Sequence, residues 1–408
     1  MKPQAPTTAR TAAPTPGYAW VVLLSVYAAT LAAPLNQMKV PPVLPILRDA
    51  FGLDYSSAGM LMSIFSIMGF VLAIPAGFIL QKIGIKATGL VSVGTVAVGA
   101  AMGALSGSAA LLFTGRFIEG AGMGLIMVAA PSAIAVWFPA ARRGLPMAIW
   151  TSSVGLASIA ALNGAPALAG LYSWRAVWWA GAAVAAAAFG LFALLFRLPR
   201  PSEAHEIPEV LTHAAAPPPV SLGRAMANRS LWFVGVSFGC FNLTVMAWTT
   251  FYPDFLHAER AYSLAGASFI TSMMMVIATI SGMLGGHLSD RIGSRKRLIV
   301  FPFAFLALVF LFPFSVTGWG IPALVVFAGL VAGPIAPVSL AAVPEIMGSP
   351  RLAGIGLGVA ALCQNLGMFI GPALFGRILE VAPWTVAGYL MIPVCVLAIV
   401  VTVMAKIR

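Results

Sequence analysis

Three ionisable residues in apolar surroundings are the first candidates for chemistry in this sequence. Arg116 and Glu119 stand three positions apart in "RFIEGAGMG", and Lys39 follows Asn36 by three positions in "PLNQMKVPPVLP". Residues three apart lie on one face of an α-helix, so Arg116 and Glu119 are spaced to form an ion pair. Such groups are costly to bury in an apolar segment, and the chemistry they predict is the binding of an ion or a proton.

The composition places these residues in a membrane protein. Only 8% of the 408 residues are charged and 60% are hydrophobic. A helix of about 20 apolar residues is long enough to cross a bilayer, and continuous apolar runs favour helices over the alternating strands of a barrel. We predict an all-α integral membrane protein with twelve membrane-spanning helices near residues 18–47, 57–81, 87–107, 109–137, 145–168, 175–197, 230–253, 263–285, 298–316, 321–345, 353–377 and 384–405.

The basic residues indicate how the chain is oriented. Placing the N-terminus in the cytoplasm puts 17 of the 23 Lys and Arg residues on the cytoplasmic side, as the positive-inside rule requires. We therefore expect both termini in the cytoplasm and the chain in the inner membrane of a bacterium. The net charge of +12 is spread over short loops rather than one basic face, so it predicts no nucleic-acid partner.

The sequence also repeats itself. Gly77 and Gly84 recur 209 residues later as Gly286 and Gly293, and "PALAG" recurs 206 residues later as "PALFG". Because both echoes fall at equivalent places, we predict two similar six-helix bundles related in parallel. The predicted domains are a disordered cytoplasmic tail at 1–16, an N-terminal bundle at 17–197, a cytoplasmic linker at 198–229 and a C-terminal bundle at 230–408.

The loop "GGHLSDRIGSRKR" and the six-plus-six arrangement resemble the major facilitator superfamily. Its loop signature of spaced glycines, an aspartate and basic residues is met by Gly286, Asp290, Arg291, Gly293, Arg295 and Lys296. The resemblance implies a gating role, in which these residues hold the two halves together on the cytoplasmic side. Gly77 and Gly84 belong to the first-half copy, where Gln81 replaces the aspartate and predicts a weaker contact. The alternative is a basic loop that only sets topology.

The stretch "RFIEGAGMG" also resembles the superfamily's helix 4 motif, through Arg116, Gly120 and Gly122, with Glu119 in place of the usual glutamine. The resemblance implies that Arg116 acts in proton or substrate coupling. Glu119 lies about 15 Å below the outer end of helix 4, near the midplane. Burial disfavours its carboxylate and Arg116 stabilises it, so an anion that drew Arg116 away would leave Glu119 readier to hold a proton. The alternative is a structural ion pair that braces helix 4.

Helix 1 supplies two further candidates. Prolines at 34, 41, 42 and 45 exclude a regular helix, and broken helices in transporters expose backbone to a water-filled site. Asn36 and Lys39 either face that site, or Lys39 extends to the outer interface. The helix 1 stretch and the chain length resemble the cyanate-permease-like group of the superfamily.

Helices 7 and 11 line the central site in the superfamily. The resemblance therefore adds five candidates for substrate binding, Asn242, Trp248, Thr249, Gln364 and Asn365. Polar side chains within membrane helices also serve simply to join neighbouring helices.

These features together predict a monomeric secondary active transporter that works by alternating access. Lys39 and Arg116 favour a small anion as substrate, and we expect proton-coupled uptake, driven by the proton motive force without a cofactor. One alternative is a proton-antiporting exporter of drugs or metabolites, in which Glu119 exchanges protons. Another is a receptor that binds a ligand without moving it. The histidines and acidic residues form no catalytic grouping, so an enzyme is not expected.

Overall fold

The computed structural model describes residues 17–73, 75–139, 142–200, 226–292, 294–348 and 350–407. Within these ranges the regular structure is entirely helical. The predicted tail at 1–16 lies outside the described residues, and so does most of the predicted linker at 198–229.

The first half of the described chain contains seven α-helices and one 3₁₀-helix. These are α1 (Tyr18–Met38), the 3₁₀-helix (Pro41–Val43), α2 (Leu44–Phe51), α3 (Tyr55–Leu72), α4 (Pro75–Ala104), α5 (Ala109–Trp137), α6 (Gly144–Leu171) and α7 (Trp174–Leu195). The helix α4 bends at Gly84, whose φ of 79° belongs to the left-handed region that favours glycine. The part of α4 before Gly84 completes the second crossing of the membrane, and the part after it makes the third.

The second half contains α8 (Arg229–Arg260), α9 (Leu264–Ile292), α10 (Arg297–Val309), α11 (Gly320–Ala332), α12 (Ile335–Met347), α13 (Pro350–Leu379), α14 (Trp384–Tyr389) and α15 (Met391–Met404). In the described residues, 11 helical segments are long and apolar enough to cross a membrane, and α10 is a shorter apolar helix. The prediction of an all-α protein with twelve membrane helices is confirmed.

The outside of the bundle is apolar. Leu194, Leu105 and Phe301 are exposed by 83%, 68% and 59%, and many other large apolar side chains share this surface. An exposed apolar surface of this extent is stable against lipid tails rather than water, while the helices satisfy their own backbone groups. The protein is therefore a multi-pass membrane protein.

The first crossing is broken where the prolines predict. Pro41 and Pro42 have no backbone N–H, so a continuous helix would leave the carbonyls of Gln37 and Met38 without their usual donors. The helix α1 ends at Met38, and the chain passes through the 3₁₀-helix before α2 begins. Pro34, by contrast, is accommodated inside α1 and causes no break.

The turn between the first and second crossings is fixed by one residue at each end. Gly52 ends α2 in the left-handed conformation with φ of 62°. Asp54 caps α3, because its carboxylate accepts a hydrogen bond from the Ser57 backbone N–H at 2.7 Å. That bond stabilises the ionised form and holds the pKa of Asp54 below its usual value.

Glycines let α5 approach its neighbours closely. A Cβ at Gly99 of α4 would lie 2.5 Å from the carbonyl oxygen of Gly115, and a Cβ at Gly120 would clash with the carbonyl of Phe65 in α3. Small residues at such crossings permit close backbone packing in membranes. The close packing holds the face of α5 with Arg116 and Glu119 against the interior of the first half.

Among the residues that the structure describes, hydrogen bonds between the two halves are concentrated towards one end of the bundle. We name the end with Tyr18 and Met404 the terminal face, and the other end the distal face. Hydrogen bonds between described residues of the two halves lie at the distal face or near mid-depth, namely Arg48 to Asp254 (3.2 Å), Ser56 N to Glu380 (3.1 Å), Ala373 N to Ser63 Oγ (3.0 Å) and Asn163 to Ser272 (3.1 Å). The structure is thus closed at the distal face.

Backbone contact without side chains also closes the distal face. A Cβ at Gly376 of α13 would clash with the carbonyl of Tyr55, and a Cβ at Gly59 would clash with the carbonyl of Pro372. These glycines allow α13 of the second half to lie directly against α3 of the first half.

We predict that Gly376→Leu separates the halves at the distal face, since the new side chain has no space beside Tyr55. Spin labels at Leu171 and Val381, which are exposed by 76% and 81% in opposite halves, report the separation by electron–electron distance measurement. The distance is expected to lengthen in a background without the native cysteines. Gly358→Leu on the same helix is the control, because a Cβ there meets nothing within 4 Å. An unchanged distance in the Gly376 variant would contradict this role.

Candidate functional site

A buried ion cluster joins α1 and α5 within the first half. One carboxylate oxygen of Glu119 accepts a hydrogen bond from Lys39 Nζ at 2.7 Å, and the other accepts one from Arg116 Nη1 at 2.6 Å. The side chains of Lys39, Arg116 and Glu119 are exposed by only 1%, 0% and 0%. With all three ionised, the cluster holds two positive charges and one negative charge. We call these three residues the ion cluster.

Arg116 supplies the hydrogen bonds that the break in α1 leaves open. Its Nη1 donates to the carbonyl of Asn36 at 2.7 Å and its Nη2 to that of Gln37 at 3.4 Å, while Nε donates to the carbonyl of Leu61 at 3.4 Å. Pro41 cannot donate to Gln37, so the guanidinium takes the place of the missing N–H. A cation at the C-terminus of a helix is also favoured by the helix dipole.

Asn36 and Trp178 complete the surroundings of Lys39. The Asn36 Oδ1 accepts a hydrogen bond from Lys39 Nζ at 2.7 Å, and its Nδ2 donates to the carbonyls of Ala32 and Gly181. Gly181 of α7 has no side chain, which leaves room for the Asn36 amide. The Lys39 ammonium lies 4.6 Å from the centre of the Trp178 ring, within the range of a cation–π interaction.

The structure confirms the predicted ion pair on α5 and places Lys39 differently from both alternatives given by the sequence. The ion pair predicted from the three-residue spacing of Arg116 and Glu119 is present. Lys39 neither faces an open cavity nor extends to the outer interface in this conformation, because its ammonium is held inside the first half by Glu119 and Asn36. The roles of these residues in substrate binding and proton coupling remain predictions.

Three polar candidates of the second half lie towards the interior of the protein. Gln364 Nε2 donates to Asn242 Oδ1 at 3.4 Å, which joins α13 to α8. Asn365 faces the other half, because a Cβ at Gly69 of α3 would clash with its Oδ1. All three side chains are partly exposed. Their predicted role in substrate binding remains open.

Trp248 and Thr249 are buried within the second half in this conformation, and their role in substrate binding stays a prediction. Trp248 is exposed by 2%, and its ring packs on Tyr252 and Phe310 within the second half. Thr249 is fully buried, and its hydroxyl donates to the carbonyl of Val245 in its own helix. The hydroxyl of Thr249 thus has its acceptors within its own helix.

Two residues of the predicted gating loop have contacts with other residues of the second half. Arg295 pairs with Glu345 of α12 at 2.7 Å, and Lys296 Nζ donates to the carbonyl of Val403 at 3.1 Å. Arg291 is exposed at the end of α9. The backbones of Gly286 and Asp290 lie in α9, but Gly293 and the side chain of Asp290 lie outside the described residues. In the first-half copy, Gly84 makes the bend in α4, and a Cβ at Gly77 would meet nothing within 4 Å.

Sequence reasoning missed the ion pair between Arg48 and Asp254. Their side chains meet at 3.2 Å, and the Asp254 side chain is exposed by only 2%. The guanidinium of Arg48 also lies 3.5 Å from the centre of the Tyr55 ring. One signal for the pair was available, since Arg48 and Asp254 are separated by 206 residues, the offset of the internal repeat.

The described residues offer no evident metal site. No group of three or more His, Cys, Asp or Glu residues among them is placed to hold a metal ion. Cys240, Cys363 and Cys395 are buried free thiols. In the part of the chain that the structure describes, the ion cluster is the main concentration of buried charge, with three charged side chains exposed by 1% or less.

Comparison with known sequences identifies the family. The sequence model of the Major Facilitator Superfamily matches residues 26–320 and 250–407, which together span nearly the whole chain. The chain belongs to this superfamily. It is therefore a secondary transporter of a small solute and not an enzyme, as the resemblance in the sequence predicted.

Named relatives support the same assignment. The chain is 23% identical over 367 residues to the probable sulfoacetate transporter of Cupriavidus necator, with 85% of this chain and 84% of the relative covered. It is 26% identical over 361 residues to the cyanate transport protein of Escherichia coli, with 85% and 84% covered. This second match confirms the predicted resemblance to cyanate permeases.

A solved structure supports the fold. A bacterial homologue of the human lysosomal transporter Spinster, in an inward-facing and occupied conformation, superposes with a TM-score of 0.75. The superposition covers 96% of this chain and 97% of the other at 16% identity.

We predict that Glu119→Gln destabilises the protein strongly, because it leaves two buried cations without their carboxylate. Breaking a buried ion pair in this way costs about 3–5 kcal/mol, and the thermal unfolding temperature in detergent should fall accordingly. Glu259→Gln is a matched control, since Glu259 is exposed at the end of α8. An unfolding temperature equal to that of the control would show that the cluster does not support the fold.

Proposed function

We propose that the protein takes up a small anion across the inner membrane by alternating access, coupled to protons. The observation that carries this proposal is the carboxylate of Glu119, shared by two buried cations. Burial makes an unbalanced charge costly, and one positive charge is in excess when the cluster is ionised. Such a site favours an anion and disfavours a cation.

The names of the relatives agree with an anionic cargo. Sulfoacetate and cyanate, named for two relatives, are both small anions. The two differ in charge, since sulfoacetate has two acidic groups and cyanate has one. We propose an anion of this size and chemistry for the present protein.

Access to the ion cluster would depend on the segment after Lys39. The 3₁₀-helix Pro41–Val43 belongs to the first half but contacts α8 and α9 of the second half. Five residues further on, Arg48 is anchored to Asp254. Separation of the halves at the distal face would withdraw this segment from the second half and uncover Lys39. An anion entering from the distal side would then reach the cluster.

The terminal face would close in the opposite conformation. In this structure Arg295 pairs with Glu345 and Lys296 donates to the carbonyl of Val403, and both partners belong to the second half. We propose that the gating loop of Asp290 engages the first half when the distal face opens, with the terminal face on the cytoplasmic side. The excess of basic residues near that face supports this orientation.

Uptake of cyanate and sulfoacetate into proteoliposomes, with the external medium more acidic than the lumen, tests the function. We expect accumulation of at least one of these anions and none of a small cation. Lys39→Gln should lower the rate by about tenfold or more, because it removes the excess charge from the cluster. Lys86→Gln is the control, since Lys86 is exposed at the terminal face.

Two outcomes would replace this proposal with another function. Accumulation only when the lumen is the more acidic side would indicate a proton-antiporting exporter. Saturable binding of an anion in detergent, without flux or counterflow in liposomes, would indicate a receptor.

A further inference from the structure

We propose that Lys39 is the group that takes up and releases the transported proton, while Glu119 stays ionised throughout. This inference rests on the proposed proton-coupled uptake of an anion and names the residue that performs the coupling. It differs from the expectation drawn from the sequence, which gave the proton to Glu119. The contacts and the charges of the ion cluster support this proposal.

Protonation of Glu119 would increase the net positive charge of the buried ion cluster. The ionised cluster has a charge of +1, and a proton on Glu119 would raise it to +2 in a site without water exposure. Both oxygens of Glu119 already accept short hydrogen bonds from cations, which stabilises the ionised carboxylate. A proton could bind there only after Lys39 or Arg116 had moved away.

Arg116 is also unable to exchange a proton. A guanidinium keeps its charge in proteins. The donors of Arg116 are in addition engaged with Glu119 and with the carbonyls of Asn36, Gln37 and Leu61. Of the three charged groups in the ion cluster, Lys39 is therefore the remaining candidate for proton exchange.

The hydrogen bonds of Lys39 suit a neutral amine as well as an ammonium. Its nitrogen donates two hydrogen bonds, to Glu119 Oε1 and to Asn36 Oδ1, both at 2.7 Å. A neutral amine has two N–H donors, so both bonds persist when the ammonium loses a proton. The third N–H of the ammonium is left to the face of the Trp178 ring. Loss of that proton brings the cluster from +1 to neutral.

Among the described residues, charged groups on the neighbouring elements other than Glu119 do not neutralise the positive charge of the Lys39 ammonium. From α5 it faces Glu119 and Arg116, and from α7 it faces Trp178. The cation of α7, Arg175, donates instead to the carbonyl of Ser106. On the side of the second half, Asp254 is paired with Arg48. Among the described residues, Glu119 is the carboxylate within salt-bridge distance of Lys39.

A transport cycle with balanced charge follows from this assignment. With the distal face open, the Lys39 amine binds a proton through its free electron pair, and the resulting cluster of +1 binds a monovalent anion. The ion cluster is closed to water in the present structure, so release needs a further opening of the cluster towards the terminal face, through which the anion leaves. The N–H bond then breaks, the electron pair stays on Nζ, and the proton passes to water on that side. Each turn moves one proton with each monovalent anion, and the neutral empty cluster returns.

The decisive variant is Lys39→Arg, which keeps the positive charge but cannot release a proton. In proteoliposomes with cyanate, a monovalent anion, counterflow exchange by Lys39→Arg should be reduced less than its proton-driven accumulation, because exchange needs no release of a proton from residue 39. Accumulation driven by a pH gradient should fall about tenfold or more, because the guanidinium stays charged. Proton-driven accumulation by Lys39→Arg at the unmodified rate would overturn this inference and leave the proposed function standing. Absence of any anion flux in the unmodified protein would overturn both.

A lysine analogue provides a test that preserves the size of the side chain, in case arginine prevents folding. Thialysine, incorporated at position 39, has a less basic amine than lysine. Because the anion binds to the protonated cluster, the pH profile of uptake should lose its activity at a lower pH than in the unmodified protein. A structural role for Lys39 would leave the profile in place, and an unshifted profile would therefore reject the proton role.

Discussion

The carboxylate of Glu119 is shared between Lys39 and Arg116, and this shared contact constrains the first half of the molecule. Coulomb attraction is strong where water is excluded, and removal of one partner would leave a buried charge without compensation. The helix α5 must therefore stay against the broken end of α1 and against α4, which the glycines Gly99 and Gly115 permit. The same guanidinium that pairs with Glu119 also supplies the hydrogen bonds that the prolines after Lys39 remove.

The break in α1 links the ion cluster to the contact between the halves. The chain leaves Lys39, crosses to the second half through Pro41–Val43 and reaches Arg48, which pairs with Asp254. In the proposed transport cycle, this short covalent connection would transmit movement at the distal face to the ion cluster. An arrangement in which a buried charge is covered by a segment spanning both halves suits a transporter that exposes its site to one side at a time.

Local geometry explains which features the sequence could predict. The apolar runs predicted the twelve crossings, and the spacing of Arg116 and Glu119 predicted their pair, because both depend on residues close in the chain. The contact of Lys39 with Glu119 joins residues 80 positions apart. Helical periodicity shows which residues share a face of one helix, but it does not show which other helix that face contacts. The burial of Trp248 could not be predicted for the same reason, since an apolar helix carries little signal of direction. Arg48 and Asp254 were missed because charges at helix ends are usually exposed to water.

A structure of the protein with the transported anion bound would show whether the anion balances the excess positive charge of the ion cluster. We expect the anion within hydrogen-bonding distance of the Lys39 ammonium or the Arg116 guanidinium. An anion held entirely by the second half would contradict this expectation.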